Sequence, residues 1–261
     1  MNSGKESNIT DVNKIVDSAL YAAVTILHLG GSTTMADRAF RNIVYNSNIT
    51  GFNIMWRLDN VTVSYTVNGE SKTILKSVGT VGTSLTAVSK VIELSEDIRN
   101  KKADVSEIVD GINEILKAPP VHSHLTYILV AGLAAAFYSL FHHGSIESVI
   151  VVFASAVIGQ TLRIQLQARE MRDSHITFIC GLLSASIASI FLHLGYGQIE
   201  IQTLIACLIY LVPGLLMING FVDFTKQRYI FIGLQRMMNA TFIFLILALV
   251  ILIAYTFVKI Y

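Results

Sequence analysis

Residues 118–146 read APPVHSHLTYILVAGLAAAFYSLFHHGSI, and no Asp, Glu, Lys or Arg interrupts the chain between Lys117 and Glu147. A helix that crosses a bilayer needs about 20 mostly apolar residues, because the hydrocarbon layer is about 30 Å thick and a helix rises about 1.5 Å per residue. Leu125–Phe141, the apolar centre of this stretch, therefore predicts a membrane crossing. Ala118-Pro119-Pro120 in front of it predicts a stiff joint, since proline fixes the backbone and lacks an N–H.

Downstream, Ile146–Leu166, Ile176–Gly195, Ile201–Phe221 and Thr241–Val258 repeat the pattern, giving five expected spans. Upstream, the composition changes. Residues 1–120 hold 25 of the 37 charges, and the remaining residues hold 12. Two domains are expected: 1–120, an α+β domain, and 121–261, an all-α transmembrane domain of about five helices. The whole chain of 261 residues is 53% hydrophobic and only 14% charged, with a mean hydropathy of +0.59. A soluble enzyme carries roughly 25% charged residues. The formal net charge of +1 provides no field for nucleic acid. Cys180 and Cys207 both lie in apolar runs, which excludes a disulfide framework and a cysteine-based zinc site.

Lys and Arg in short loops set orientation. Arg163, Arg169 and Arg172 follow the second span, Lys226, Arg228 and Arg236 follow the fourth, and Lys101, Lys102 and Lys117 precede the first. His142–Ser145 and Gly195–Glu200 carry no Lys or Arg. The alternation predicts a multi-pass plasma (inner) membrane protein with a cytoplasmic N-terminal domain and the C-terminus outside, Lys259 being the one dissenting charge. Met1–Thr10 lacks a secretory hydrophobic core, and Ala19–His28 is too short to span, so a buried helix is expected there.

Within the first domain, Asn13–Leu29 has helical periodicity and meets a stop at Gly30-Gly31. Ser32 or Thr33 can cap a second helix, Thr34–Tyr45. Phe52–Arg57, Val61–Thr66 and Lys72–Val78 favour strands, and Asn68-Gly69 signals a hairpin. Leu85–Ile98 and Val105–Leu116 return to helix, the latter capped by Asp104. Gly79-Thr80-Val81-Gly82 lacks the Lys-Ser/Thr of a phosphate loop, and there is no His-Glu-x-x-His. Asn8, Asn48, Asn60 and Asn239 open Asn-x-Ser/Thr matches of the kind chance supplies. His122, His124, His142 and His143 have no cysteine or carboxylate partners nearby, which favours interfacial solvation over metal binding. No enzyme activity and no cofactor or metal is expected.

Polar groups in lipid are costly and tend to be functional. The candidates for a substrate path are Gln160, Pro213, Gly214, Asn219, Asp223 and Arg236, and Gln202 opens the fourth span. Pro213-Gly214 breaks that span near its middle, either as a packing kink or as a way to expose backbone dipoles to a substrate. Asn219 and Asp223 are four residues apart and share a helix face. With Arg236 they could receive a zwitterion or dicarboxylate, or Asp223 could simply pair with Lys226 or Arg228 at the interface.

Leu211-Val212-Pro213-Gly214 through Asn219 and Asp223, followed by Gly233-Leu234-Gln235-Arg236, resembles the signature of the threonine/serine exporter family, more closely its YjjP-type half. The His28-Leu29-Gly30-Gly31 segment, the β-rich middle, Gly82-Thr83-Ser84-Leu85 at a helix start and the Pro119-Pro120 joint recur there in the same order. The resemblance covers roughly residues 14–258. Ser32, Met35 and Val81 stand where the family often has charged residues, although Asp37 keeps an acid nearby. The resemblance implies export of threonine and serine, or of succinate in split members that pair with a smaller YjjB-like membrane chain. Five spans fit the larger half of such a hetero-oligomer. The alternative is a membrane-anchored sensor whose cytoplasmic domain binds a small ligand.

Overall fold

The computed structural model describes residues 3–47, 49, 51–67, 69–79, 82–197 and 201–260; Asn48, Asn68, Thr80, Val81 and Glu200 lie outside the described residues. The chain divides into two compact units. One comprises Met1–Pro119 with Leu215–Met238, and the other comprises Pro120–Gly214 with Asn239–Tyr261.

The first unit begins with helices α1 (Ser3–His28) and α2 (Thr33–Val44). α1 ends where the chain reaches Gly30, whose φ of +82° is unfavourable for any residue with a side chain. The Gly31 N–H donates to the Ile26 carbonyl and the Gly30 N–H to the Leu27 carbonyl, which satisfies two carbonyls at the end of α1. Ser32 is the cap of α2 and accepts from the Met35 N–H. Strands β1 (Phe52–Trp56), β2 (Asn60–Val67) and β3 (Glu70–Ser77) form an antiparallel sheet in that order, with Ile54 opposite Val63 and Val63 opposite Ile74. Alternation on β2 buries Val61, Val63, Tyr65 and Val67 on one face. Gly69 turns the hairpin with φ +85°.

Helices α3 (Leu85–Arg99) and α4 (Ile108–Lys117) follow, and a short 3-10 turn capped by Asp104 precedes α4. Their apolar faces join α1, α2 and the sheet in one core that includes Val16, Phe40, Trp56, Val88 and Ile112. Tyr229 and Ile232, far along the chain, belong to the same core.

The second unit contains α5 (His124–Phe141), α6 (Ile146–Gln167) and α7 (Asp173–His193). Small residues allow close approach, as Gly132 does: a Cβ there would lie 2.9 Å from Phe153 Cε2. Val152, Ala156, Cys180, Ala185 and Ala188 fill the core between these helices.

Among the described residues, four helical stretches are long and apolar enough to cross a bilayer: His124–Phe141, Ile146–Gln167, Asp173–His193 and Gln227–Thr256. The stretch expected as the fourth span, Ile201–Phe221, is not one helix. It comprises α8 (Ile201–Ala206), a 3-10 turn at Ile209–Leu211 and α9 (Gly214–Phe224). Val212, just before Pro213, is extended (φ −63°, ψ 128°), as the proline ring requires of its neighbour.

The last helix, α10 (Ile230–Ile260), starts eleven residues before the expected Thr241. Arg236 reads as a loop charge in the sequence, but it is buried and paired, so the helix runs through it. Arg163, also expected in a loop, lies inside α6.

Gly30→Ala places a Cβ at positive φ, 3.0 Å from Leu215 Cδ2 and 3.3 Å from the Gly82 carbonyl oxygen. The expected loss of stability is about 1–3 kcal/mol. Thermal unfolding followed by the fluorescence of Trp56, the only tryptophan and a core residue of this unit, measures it.

Candidate functional site

Three buried side chains, Asn219, Asp223 and Arg236, converge on the Gly30–Thr33 turn of the first unit. Asn219 on α9 donates its Nδ2 to the Gly30 carbonyl at 3.0 Å. Arg236 on α10 donates its Nη2 to the Gly31 carbonyl at 3.1 Å. Thr33 donates its hydroxyl to Asp223 Oδ2 at 2.6 Å. Arg236 Nε lies 3.5 Å from the same carboxylate oxygen. Relative exposures are 0% for Thr33 and Asp223, 3% for Arg236 and 8% for Asn219, so both charges are out of bulk water.

Local sequence explains how the side chains reach the turn. Asn219 and Asp223 are one helical turn apart on α9 and face the same way. Gly220 admits α10, because a Cβ there would stand 3.0 Å from Arg236 Cβ. Gly233 on α10 packs on the α9 backbone, where a Cβ would lie 2.5 Å from the Phe224 nitrogen. The two glycines bring α9 and α10 close enough for Asp223 and Arg236 to meet.

Electrostatics favours this arrangement beyond the ion pair. α2 has no acidic residue in its own first turn, and Asp223 supplies a negative charge there through Thr33. Arg236 and Asn219 supply donors at the carbonyl end of α1. Each charge thus sits at the end of the helix dipole that stabilises it. Desolvation of such a pair costs several kcal/mol per ion, which these extra hydrogen bonds help to offset.

Two polar atoms of the cluster remain unsatisfied. Asp223 Oδ1 and Arg236 Nε are buried and have no hydrogen-bond partner among the described residues, Nε making only the longer ion contact. The pair can therefore accept one more donor and offer one more N–H. At its edge, Lys226 donates its Nζ to the Thr34 hydroxyl at 2.7 Å, and the ion partner of Asp223 is Arg236 rather than Lys226 or Arg228. Asp37 pairs with Arg41 one turn along α2 at 2.7 Å.

The other expected path residues lie in the second unit. Gln160 is on α6, and its Oε1 is buried without a partner among the described residues. Pro213 lies in the break between α8 and α9, and Gly214 is the first residue of α9. The sequence reading missed Thr33, the Gly30 and Gly31 carbonyls and, in the second unit, Tyr210 and Ser184. Thr33 was legible only as an alternative cap, whereas Ser32 is the cap and Thr33 reaches Asp223. The Gly30 and Gly31 carbonyls act as acceptors through backbone geometry alone. Tyr210 and Ser184, bonded to each other at 2.9 Å, look like ordinary membrane-helix residues in the sequence.

A family model described as "Putative threonine/serine exporter" matches residues 17–258. No curated protein and no solved structure matches the chain.

Thr33→Val leaves Asp223 Oδ2 without its hydroxyl donor in a buried site. The expected cost is about 1–3 kcal/mol, and Thr33→Ser, which keeps the hydroxyl, should recover most of it. Trp56 fluorescence on heating distinguishes the two variants.

Proposed function

The chain belongs to the threonine/serine exporter family, and we propose that Asn219, Asp223 and Arg236 receive its cargo from the cytoplasm. The observation that carries this reading is the buried pair with one free acceptor, Asp223 Oδ1, and one free donor, Arg236 Nε. A zwitterionic amino acid has the matching groups: an ammonium for the carboxylate and a carboxylate for the guanidinium. A hydroxyl already occupies Asp223, that of Thr33, and a side-chain hydroxyl is what threonine and serine share. The turn holds the site in the manner of a tethered stand-in, and incoming cargo replaces it.

The protein is a membrane exporter by family, and the finer topology belongs to this proposal. α5, α6, α7, the broken segment 201–224 and α10 make five crossings. The N-terminal α+β domain lies in the cytoplasm and the C-terminus outside. Support comes from Arg169 and Arg172 after α6 and Lys226 and Arg228 after α9, against no Lys or Arg in residues 142–145 and 194–199. In the membrane unit, Gln160, Pro213 and Gly214 serve the passage of cargo, with Pro213 and Gly214 keeping the helix open. A YjjB-like membrane chain completes the exporter as a hetero-oligomer, and a dicarboxylate such as succinate is the competing cargo.

Efflux from cells that carry the chromosomal gene tests the site. Asp223→Asn and Asn219→Ala should each lower threonine efflux about tenfold or more per molecule of protein in the membrane, the amount being read by immunoblot. Efflux at the unmodified rate would remove these residues from the path. Reporter tags at the two ends should answer from opposite sides of the membrane, and an answer from one side would defeat the odd crossing count.

A further inference from the structure

The broken segment of the second unit has its own polar chemistry. Residues 207–213 separate α8 from α9. In an unbroken α-helix the Tyr210 carbonyl would take the N–H of Gly214. Here the Gly214 N–H donates to the Val212 carbonyl. The Tyr210 carbonyl instead accepts from Arg163 Nη1 at 2.6 Å. A cation on α6 thus serves a backbone group released by the break.

Arg163 sits one turn before the end of a helix apolar enough to span. Its hydrogen bond to Tyr210 is the one it makes among the described residues, and no carboxylate there pairs with it. A guanidinium has five N–H donors in a planar fork, so this bond leaves most of them for another acceptor. Gln160, three residues earlier, lies on the same flank of α6 with its buried Oε1 unpartnered. The surroundings hold this geometry. The Tyr210 and Ser184 hydroxyls bond at 2.9 Å, and Ser184 donates to the Ser155 carbonyl at 3.1 Å. Gly159 makes room for both hydroxyls, because a Cβ there would collide with each. Held on the Tyr210 carbonyl close to the buried Gln160 Oε1, the half-buried guanidinium keeps donors for a ligand of opposite charge.

We propose that Arg163 binds the carboxylate of the transported substrate in the membrane unit, and that Gln160 Oε1 accepts from its ammonium or hydroxyl. The assignment rests on the exporter reading and adds a carboxylate subsite to it. A zwitterionic amino acid and a dicarboxylate share the recognised group, and competition separates them.

Uptake of labelled threonine into inside-out membrane vesicles from cells with chromosomal variants tests the subsite. With the unmodified protein, unlabelled threonine or serine should compete and threonine methyl ester, which lacks the carboxylate, should not. Arg163→Lys retains a donor for the Tyr210 carbonyl but loses the fork. It should raise the half-saturating threonine concentration about tenfold or more and weaken discrimination against the ester. Gln160→Ala should raise it by a smaller factor without restoring the ester. If Arg163→Lys is missing from the membrane by immunoblot, Gln160→Ala decides the matter, and wild-type half-saturation there would overturn the subsite. Competition by succinate in place of threonine retains the subsite and changes its cargo. Wild-type half-saturation and ester discrimination in Arg163→Lys would overturn the subsite and leave the exporter reading standing. Vesicles of the unmodified protein that take up neither threonine, serine nor succinate would overturn both.

Discussion

The first unit depends on a carboxylate and a guanidinium placed where water cannot reach them. Asp223 and Arg236 are stable there because each does two things: it meets the other, and it serves the exposed end of a helix in the N-terminal segment. Removing one charge would leave the other buried without compensation, a loss of about 3–5 kcal/mol. That asymmetry explains why the closing glycines matter. Gly220 and Gly233 have no chemistry of their own, yet a side chain at either would separate α9 from α10 and part the pair. It also explains why residues 215–238 belong to the same compact unit as the first 119 residues.

The membrane unit follows the same rule with different groups. Pro213 lacks an N–H, and the residue before it cannot remain helical, so the chain must find partners for carbonyls that an unbroken helix would satisfy. Ile209 recovers one from the Val212 N–H in a 3-10 turn, and Tyr210 takes Arg163. In both units the polar ends of interrupted helices recruit side chains from distant segments. Buried polar atoms with unused hydrogen-bonding capacity lie in each unit: Asp223 Oδ1 and Arg236 Nε in one, Gln160 Oε1 in the other.

Much of the architecture was legible because it depends on local periodicity. Hydrophobic spacing located α1 through α7 and the three strands to within a few residues, apart from the start of α1, and Gly30-Gly31 and Ser32 marked a helix stop and start. Charge-free length located the apolar helices. What stayed hidden was set by partners far along the chain. Thr33 and Asp223 are 190 positions apart, and nothing near either residue announces the other. Arg163 and Arg236 both read as loop charges because an isolated arginine in an apolar run is assumed to seek water. Each instead finds a backbone carbonyl, 47 and 205 positions away, and the helices continue through them. The α10 start and the placing of Arg163 in a loop were misread for this one reason.

The same fact bears on how such a site could release what it holds. Apart from the contact between Asp223 and Arg236, the groups bound by Asn219, Asp223 and Arg236 are two carbonyls and a hydroxyl, all neutral. The Thr33 and Gly31 bonds are already charge-assisted through Asp223 and Arg236, and a zwitterion that displaces them would add a second, opposite charge to each. Binding would therefore be favoured by the difference between ligand types rather than by filling an empty cavity. In the cycle proposed above, departure of the cargo would return the pair to the partners it has in the structure. On the proposed reading, the pair would exchange one set of partners for another, so that neither half of the cycle would leave a whole side-chain charge bare in the protein interior.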